Sequence, residues 1–343
     1  MKERRVSSGL VGACLVLLLT VSLVALACPA PPVDPEVPAK VGVVTSIGGL
    51  GDKSFNDFTF AGAQRAAAEM GVEIDVVEPL AIGDFEGLLR GMAITGEYKV
   101  ILAVGFLQRD ALAVVAPEFP NQRFIIVDSV VAVPNVTSLI FRENEGSFLV
   151  GVLAGMMTKT GRVGFVGGMD VPIIRRFQAG YVAGAKWANP AVTVDVSYVG
   201  GFGDPAGGKE HALAHYGRGG DIIFAAAGKT GLGVFDAAVE RGRLAIGVDV
   251  DQAHIAPAHI VASMIKGIDT ATYEATLAAL KGVLEPGIHE FGLAEGVAGI
   301  CFLMIDHVRT STVPLPEAVR ARVIEARQMI IDGLIIVPDE DDL

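Results

Sequence analysis

The chain has 343 residues, enough for two domains of ordinary size, and is 51% hydrophobic with 42 glycines and few aromatics. Its net charge of −12 and the lack of a basic stripe in its body exclude nucleic acid as an expected partner. Cys14, Cys28 and Cys301 have the spacing of neither a disulfide framework nor a metal cluster, and no metal or cofactor is expected.

The first stretch reads as a targeting segment. Lys2, Arg4 and Arg5 form a basic start, and Leu10 to Ala27 an apolar core. The A-L-A-C ending at Cys28 has the shape of a lipoprotein cleavage site, with Ala25 where leucine is usual. Residues 1–27 are therefore expected to be a lipoprotein signal peptide, with Cys28 as the lipidated residue. Ordinary signal cleavage is one alternative. An uncleaved anchor is another, because the apolar run is near the roughly 18 residues that span a bilayer. Residues 28–39, carrying P-A-P-P-V-D-P-E-V-P, read as a stiff proline-rich tether without a core.

From Lys40 the sequence alternates strand and helix. Predicted strands are Val41–Val44, Glu73–Val77, Val100–Val104, Phe124–Val127 and Thr137–Phe141. Predicted helices lie at Phe55–Met70, Asp84–Met92 and Arg109–Ala116. Most of the strands are continuous apolar runs, as expected of parallel strands covered on both faces. After a helix at Gly146–Thr158 the pattern restarts: V-G-F-V-G-G-M-D from Val163 echoes V-G-V-V-T-S-I-G-G from Val41. Strands at Val163–Val166, Val192–Val199, Asp221–Ala225 and Leu244–Val248 then alternate with helices at Ile173–Trp187, Ala206–Tyr216 and Leu232–Arg241. Two similar α/β lobes imply a cleft between them, with the turns near Gly49 and Gly168 facing each other. The remainder holds a strand (Ile260–Ile265), a helix (Thr270–Leu280), an apolar stretch (Val297–Ile305) and a last helix (Pro316–Asp332). It is too short for a third domain and is expected to complete both lobes through a multi-strand hinge. The expected division is residues 40–142 plus about 250–297 for the N-terminal lobe. The C-terminal lobe takes 143–249 plus about 298–337, and 338–343 form a solvated acidic tail.

The opening turn is the most informative stretch. Gly48, Gly49 and Gly51 let the backbone turn tightly beside a ligand, and Asp52 and Ser54 can cap the helix that follows. Phe55, at its mouth, either stacks on a flat ligand or staples the first helical turn. Strand, glycine turn and helix start together form the usual ligand position in an open parallel sheet. Other chemistries fail on spacing. Gly228–Lys229–Thr230 sits in phosphate-loop context, but Ile223 occupies the position where that loop needs its first glycine. His211 and His215, four apart on a helix, lack a third ligand and read as an exposed polar face. No G-x-S-x-G elbow or C-x-x-C pair is present, so binding is expected and catalysis is not. Asp128, Asp170, Asp249, Asp251, Phe106, Phe177, Phe202 and Lys266 fall at strand ends or lobe edges. Carboxylates there can accept from a ribose diol or a base N–H, and two phenylalanines can sandwich a base. Taken singly, each carboxylate reads equally as a cap and each phenylalanine as core.

Seven segments occur in order: G-D-K-S-F-N (Gly51–Asn56), G-F-L (Gly105–Leu107), E-N-E-G-S-F-L-V-G (Glu143–Gly151), V-G-F-V-G-G-M-D (Val163–Asp170), R-F-x-A-G (Arg176–Gly180), F-A-A-A-G-x-T-G-x-G-V (Phe224–Val234) and I-G-V-D-x-D-Q (Ile246–Gln252). Together they resemble the basic membrane protein family of ABC-importer substrate-binding lipoproteins, purine nucleoside-binding type, over Lys40 to Val308. The resemblance implies an α/β type I periplasmic-binding-protein fold with two Rossmann-like lobes. It implies a nucleoside-like ligand, an ABC permease with a separate ATPase, and attachment to the extracytoplasmic face of the cell membrane. Phe55 matches the family's stacking phenylalanine, with Asn56 beside it. Phe202 matches a second stacking face and Phe177 a wall. Asp128 matches a base-reading carboxylate, while Gly228, Asp249 and Lys266 match positions around the ribose. Two residues depart from the pattern: Ser46 replaces an aspartate that faces the ligand, and Gly51 replaces the first aspartate of D-D-K-S-F-N. A flavin or other flat ligand, a sensing lipoprotein without a transporter, and a nucleoside-modifying enzyme are the alternatives.

Overall fold

A computed structural model describes residues 40–304 and 310–343. Cys28, the signal segment and the tether lie outside the described residues. The N-terminal lobe begins with β1 (Lys40–Val44), α1 (Phe55–Met70), β2 (Ile74–Val77), α2 (Phe85–Ala93), β3 (Tyr98–Ala103), α3 (Arg109–Val115), β4 (Arg123–Val127) and β5 (Val136–Phe141). The chain then crosses into α4 (Glu143–Met157), β6 (Arg162–Gly167), α5 (Pro172–Ala188), β7 (Thr193–Tyr198), α6 (Pro205–Gly217), β8 (Ile222–Ala226), α7 (Gly231–Arg241), β9 (Leu244–Gly247) and β10 (Ile260–Ile265). It returns for α8 (Ile268–Leu280) and β11 (Gly287–Phe291), and crosses again to β12 (Gly299–Ile300) and α9 (Glu317–Ile331).

The two sheets repeat one plan. Strand order is β11-β5-β4-β3-β1-β2 in the first and β12-β10-β9-β8-β6-β7 in the second. All pairings are parallel except β10 with β12. The apolar runs are buried on both faces, as both-sided helix cover requires. Val41, Val43, Leu102 and Ile125 pack toward α1 and α8, whereas Val44, Ile101 and Ile126 pack toward α2 and α3. In the second lobe Phe165, Phe224 and Ile246 meet α4, α5 and α9, while Val166, Ile223 and Ala245 meet α6 and α7. α4 and α5 touch backbone to backbone: a Cβ added at Gly180 or Gly184 would lie 2.1 Å or 2.0 Å from the carbonyl oxygen of Asn144 or Phe148.

Three features depart from the sequence reading. The return to the first lobe falls at Lys266–Gly267, not near residue 250, because β10 hydrogen-bonds to β9 inside the second sheet. β11 lies in a stretch to which the sequence reading assigns no element, and is an edge strand beside β5. The acidic segment is not a free solvated end: Asp339 and Glu340 both accept from the Arg176 guanidinium, at 2.9 Å and 2.7–2.9 Å.

Candidate ligand cleft between the lobes

The C-terminal ends of the central strands of both sheets meet at one cleft, with about 570 Å3 of space free of protein atoms. That space includes open solvent at the mouth of the cleft. Ser46, Phe55, Asn56, Phe106, Asp128, Phe177, Phe202, Gly228, Asp249 and Lys266 all line it. So do Asp52, Lys229 and the apolar side chains of Ile47, Ile173, Ile174 and Val248.

The wall from the first lobe is built by the glycine turn. The Asp52 carboxylate, rather than Ser54, caps α1: it accepts from the backbone N–H of Ser54 (2.9 Å), Asn56 (2.8 Å) and Asp57 (3.2 Å). An anion there answers the unpaired N–H groups and the positive end of the helix. Burial nonetheless raises the Asp52 pKa against these donors. Asp52 also takes the Asn56 amide N–H (3.1 Å), which turns Asn56 Oδ1 toward the backbone N–H of Ser46 (2.8 Å). Ser46 and Phe55 sit so close to Gly105 (φ 99°) that a Cβ there would lie 3.0 Å from Ser46 Oγ and 3.2 Å from the Phe55 ring. From the other lobe, Phe202 lies against Gly168, where an added Cβ would be 2.4 Å from its ring. The backbone of the same Phe202 faces Gly48, so both glycine turns border this one residue. Phe202 meets Phe106 edge-on across the cleft, with ring centroids 6.2 Å apart.

Asp128 and Asp249 occupy matching places, just past β4 and β9 in sheets of equal plan. Both adopt left-handed backbone, φ 65° and 68°. Such conformations cost energy for a residue with a Cβ, aspartate tolerates them better than most, and they cluster at functional sites. Asp249 Oδ2 accepts from Ser54 Oγ at 2.6 Å, and the Gln252 amide donates to Lys53 O at 3.0 Å. These two bonds join the lobes beside the cleft.

Lys266 is the cation at the centre. Its ammonium lies 2.6 Å from Asp128 and 3.0 Å from Glu143, and 5.0–5.4 Å from the ring centroids of Phe55, Phe141 and Phe177. Burial alone would lower the ammonium pKa, but Asp128, Glu143 and Asp249 overcome it and hold Lys266 above its ordinary value. Burial pushes Asp128 up to about 7 against the pull of Lys266, and it raises Asp249 as well. The assembled groups can accept hydrogen bonds at two carboxylates, donate from an ammonium and an amide, and cover a planar ring with aromatic faces.

Not every singled-out residue reaches the cleft. Asp170 lies at the surface, paired with Arg175 at 2.7 Å, and Asp251 accepts from Thr310 at 2.8 Å. His215 is buried rather than on an exposed face, with Nε2 2.8 Å from Ser197 Oγ. Glu143, fully buried against Lys266, was not foreseen. Its only sequence signal was a place in the E-N-E-G segment. Among the described residues no group of three or more His, Cys, Asp or Glu could hold a metal ion, and no helix is long and apolar enough to cross a membrane.

Two parallel-sheet lobes closing on a cleft at their strand ends define the type I periplasmic-binding fold of solute-binding proteins. The solute-binding protein of an ABC transporter system from Aeropyrum pernix K1 superposes with a TM-score of 0.80 at 32% identity, covering 88% of this chain and 94% of that one. More particularly, residues 39–341 match the Bmp family, described as ABC transporter substrate-binding protein PnrA-like, and the chain belongs to that family. An uncharacterized lipoprotein of Pyrococcus abyssi is 37% identical over 275 residues, 76% of this chain and 68% of the relative. The ABC transporter nucleoside-binding protein BmpA of Lactococcus lactis is 33% identical over 324 residues, 88% of this chain and 89% of the relative. A substrate-binding protein of this family delivers a small molecule to a permease powered by an ATPase.

Proposed function

We propose that the cleft captures a nucleoside of the purine type for uptake, and that Cys28 carries the lipid holding the protein at the extracytoplasmic face of the membrane. The observation that carries the ligand reading is the convergence of Phe55 and Phe202 with Asp128, Asp249 and Lys266 on one cleft. The aromatic faces suit a base, and the αL aspartates with Lys266 suit the ribose hydroxyls and ring N–H groups. The Lactococcus relative, a nucleoside-binding protein, supports the same ligand class. Ser46 supplies a hydroxyl, neutral and able both to donate and to accept, where the family pattern has a charge. The A-L-A-C sequence and the lipoprotein name of the Pyrococcus relative support the anchor.

Calorimetric titration of the protein, unfolded and refolded to strip carried ligand, with adenosine, guanosine, inosine, uridine and riboflavin tests the ligand. Tight binding of purine nucleosides supports the reading, whereas binding of riboflavin alone, or of none of these, overturns it. Incorporation of radiolabelled palmitate that is lost in Cys28→Ala tests the anchor.

A further inference from the structure

Glu143, Asn144 and Glu145 open α4, where the chain first passes between the lobes, and each fastens a different later segment. Glu143 Oε1 contacts Lys266, at the second crossing. Glu145 Oε2 accepts from the backbone N–H of Leu293, at the third (2.9 Å). Asn144 Nδ2 donates to the carbonyls of Val337 and Pro338 (3.3 and 3.2 Å), docking the segment that follows α9.

From there a line of alternating charges runs back to the cleft. Asp339 and Glu340 grip Arg176, Arg176 Nη1 donates to Glu143 Oε2 (3.3 Å), Glu143 Oε1 meets Lys266 (3.0 Å), and Lys266 meets Asp128 (2.6 Å). Glu143 is fully buried, so its two oxygens depend on these two cations. A buried carboxylate that loses one of two cations is drawn harder to the other. Arg176, Asp339 and Glu340 are not among the residues lining the cleft.

We propose that Arg176, gripped by Asp339 and Glu340, is a positioning residue of the ligand cleft: it fixes Glu143, and through Glu143 the Lys266 ammonium against Asp128. The planar guanidinium suits this place because it spans carboxylates on opposite sides at once. The inference rests on reading the cleft as the ligand site. It makes the acidic segment part of that site's support, although it lies outside the cleft.

The test is a double-mutant cycle on the full chain with Arg176→Gln and Glu340→Gln. Three quantities are read: guanosine affinity by calorimetry, the rate of Lys266 acylation by an amine-reactive ester in ligand-free protein, and thermal midpoint. Lys281, half exposed just past the end of α8, is the internal standard for acylation. Arg176→Gln is expected to weaken guanosine binding about tenfold, the scale of one charge-assisted contact. It should also lower Lys266 acylation several-fold relative to Lys281, because Glu143, left with one cation, holds the ammonium harder and leaves less free amine to react. Glu340→Gln should shift both in the same direction by less, and the double variant should be no worse than Arg176→Gln alone, because the residues act in series. A lowered midpoint with wild-type affinity and wild-type Lys266 acylation would overturn the proposal and leave the segment as a brace for α5. If the wild type takes up no nucleoside, the ligand reading fails, and Lys266 acylation alone decides whether Arg176 positions the ammonium.

Discussion

Replacing Lys266 with methionine removes the charge and keeps most of the side-chain volume. Asp128 then loses its 2.6 Å cation, and Glu143 keeps only Arg176. Removing one member of a buried ion pair costs about 3–5 kcal/mol, a large share of the roughly 5–15 kcal/mol that holds a folded domain. The cost depends on pH in a calculable direction. In the wild type Asp128 ionises near 7; without the ammonium its pKa moves higher. Above pH 7 the variant's native state therefore holds a proton that the wild-type native state has released, while both unfolded chains have released it. The variant's stability, relative to wild type, falls as pH rises, by up to about 1.4 kcal/mol per pH unit for one proton. Below pH 7 both native states hold that proton and the difference levels off. Urea unfolding followed by far-ultraviolet circular dichroism at pH 6 and pH 8.5 measures it. A loss of equal size at the two pH values would refute the electrostatic account and assign the effect to packing.

Other outcomes follow from the same geometry. Phe55→Ala and Phe202→Ala should each weaken purine nucleoside binding by about 1–3 kcal/mol, the range for one stacked base; an unchanged calorimetric Kd would remove that face from the site. Gly184→Ala forces a Cβ to 2.0 Å from Phe148 O between α4 and α5, and should cost at least about 3 kcal/mol because backbone, not a flexible tip, must move; an unchanged thermal midpoint would contradict the close packing. Burial holds the His215 pKa down at about 4. The unfolded chain, titrating near 6.5, takes up the proton first, so stability is lost as pH falls from about 6.5 to 4, by roughly 2–3 kcal/mol. His215→Gln should flatten that limb of the midpoint-against-pH curve, and a limb of undiminished slope would rule His215 out as its source.

Most of the architecture was legible because burial on both faces of a parallel strand writes itself as an unbroken apolar run. Val41–Val44, Phe124–Val127 and the predicted helix Phe55–Met70 all recur in the structure. β11 was not legible: G-I-H-E-F is an edge strand with Ile288 and Glu290 exposed, and its strand partner, β5, is distant in sequence. At the site, the aspartates stood out because each ends an apolar strand. Glu143 did not, since an acid in a helix's first turn ordinarily meets water. Its burial comes from Lys266 and Arg176, which only the assembled hinge brings to it. Ser54 was misassigned for a similar reason: its hydroxyl leaves the helix end for Asp249 in the other lobe.

The three crossings also set the order in which the molecule can be finished. Ile268, Ala271, Ala275 and Ala279 of α8 belong to the core of the first lobe, yet they are synthesised after every central strand of the second. A nascent chain that has emerged only through β5 carries a sheet with one face half bare, so neither lobe can be completed without its neighbour's chain. Such long-range closure is slow and leaves apolar surface uncovered meanwhile. A fragment ending at residue 142 is thus expected to leave bare the apolar face that α8 covers in the whole chain.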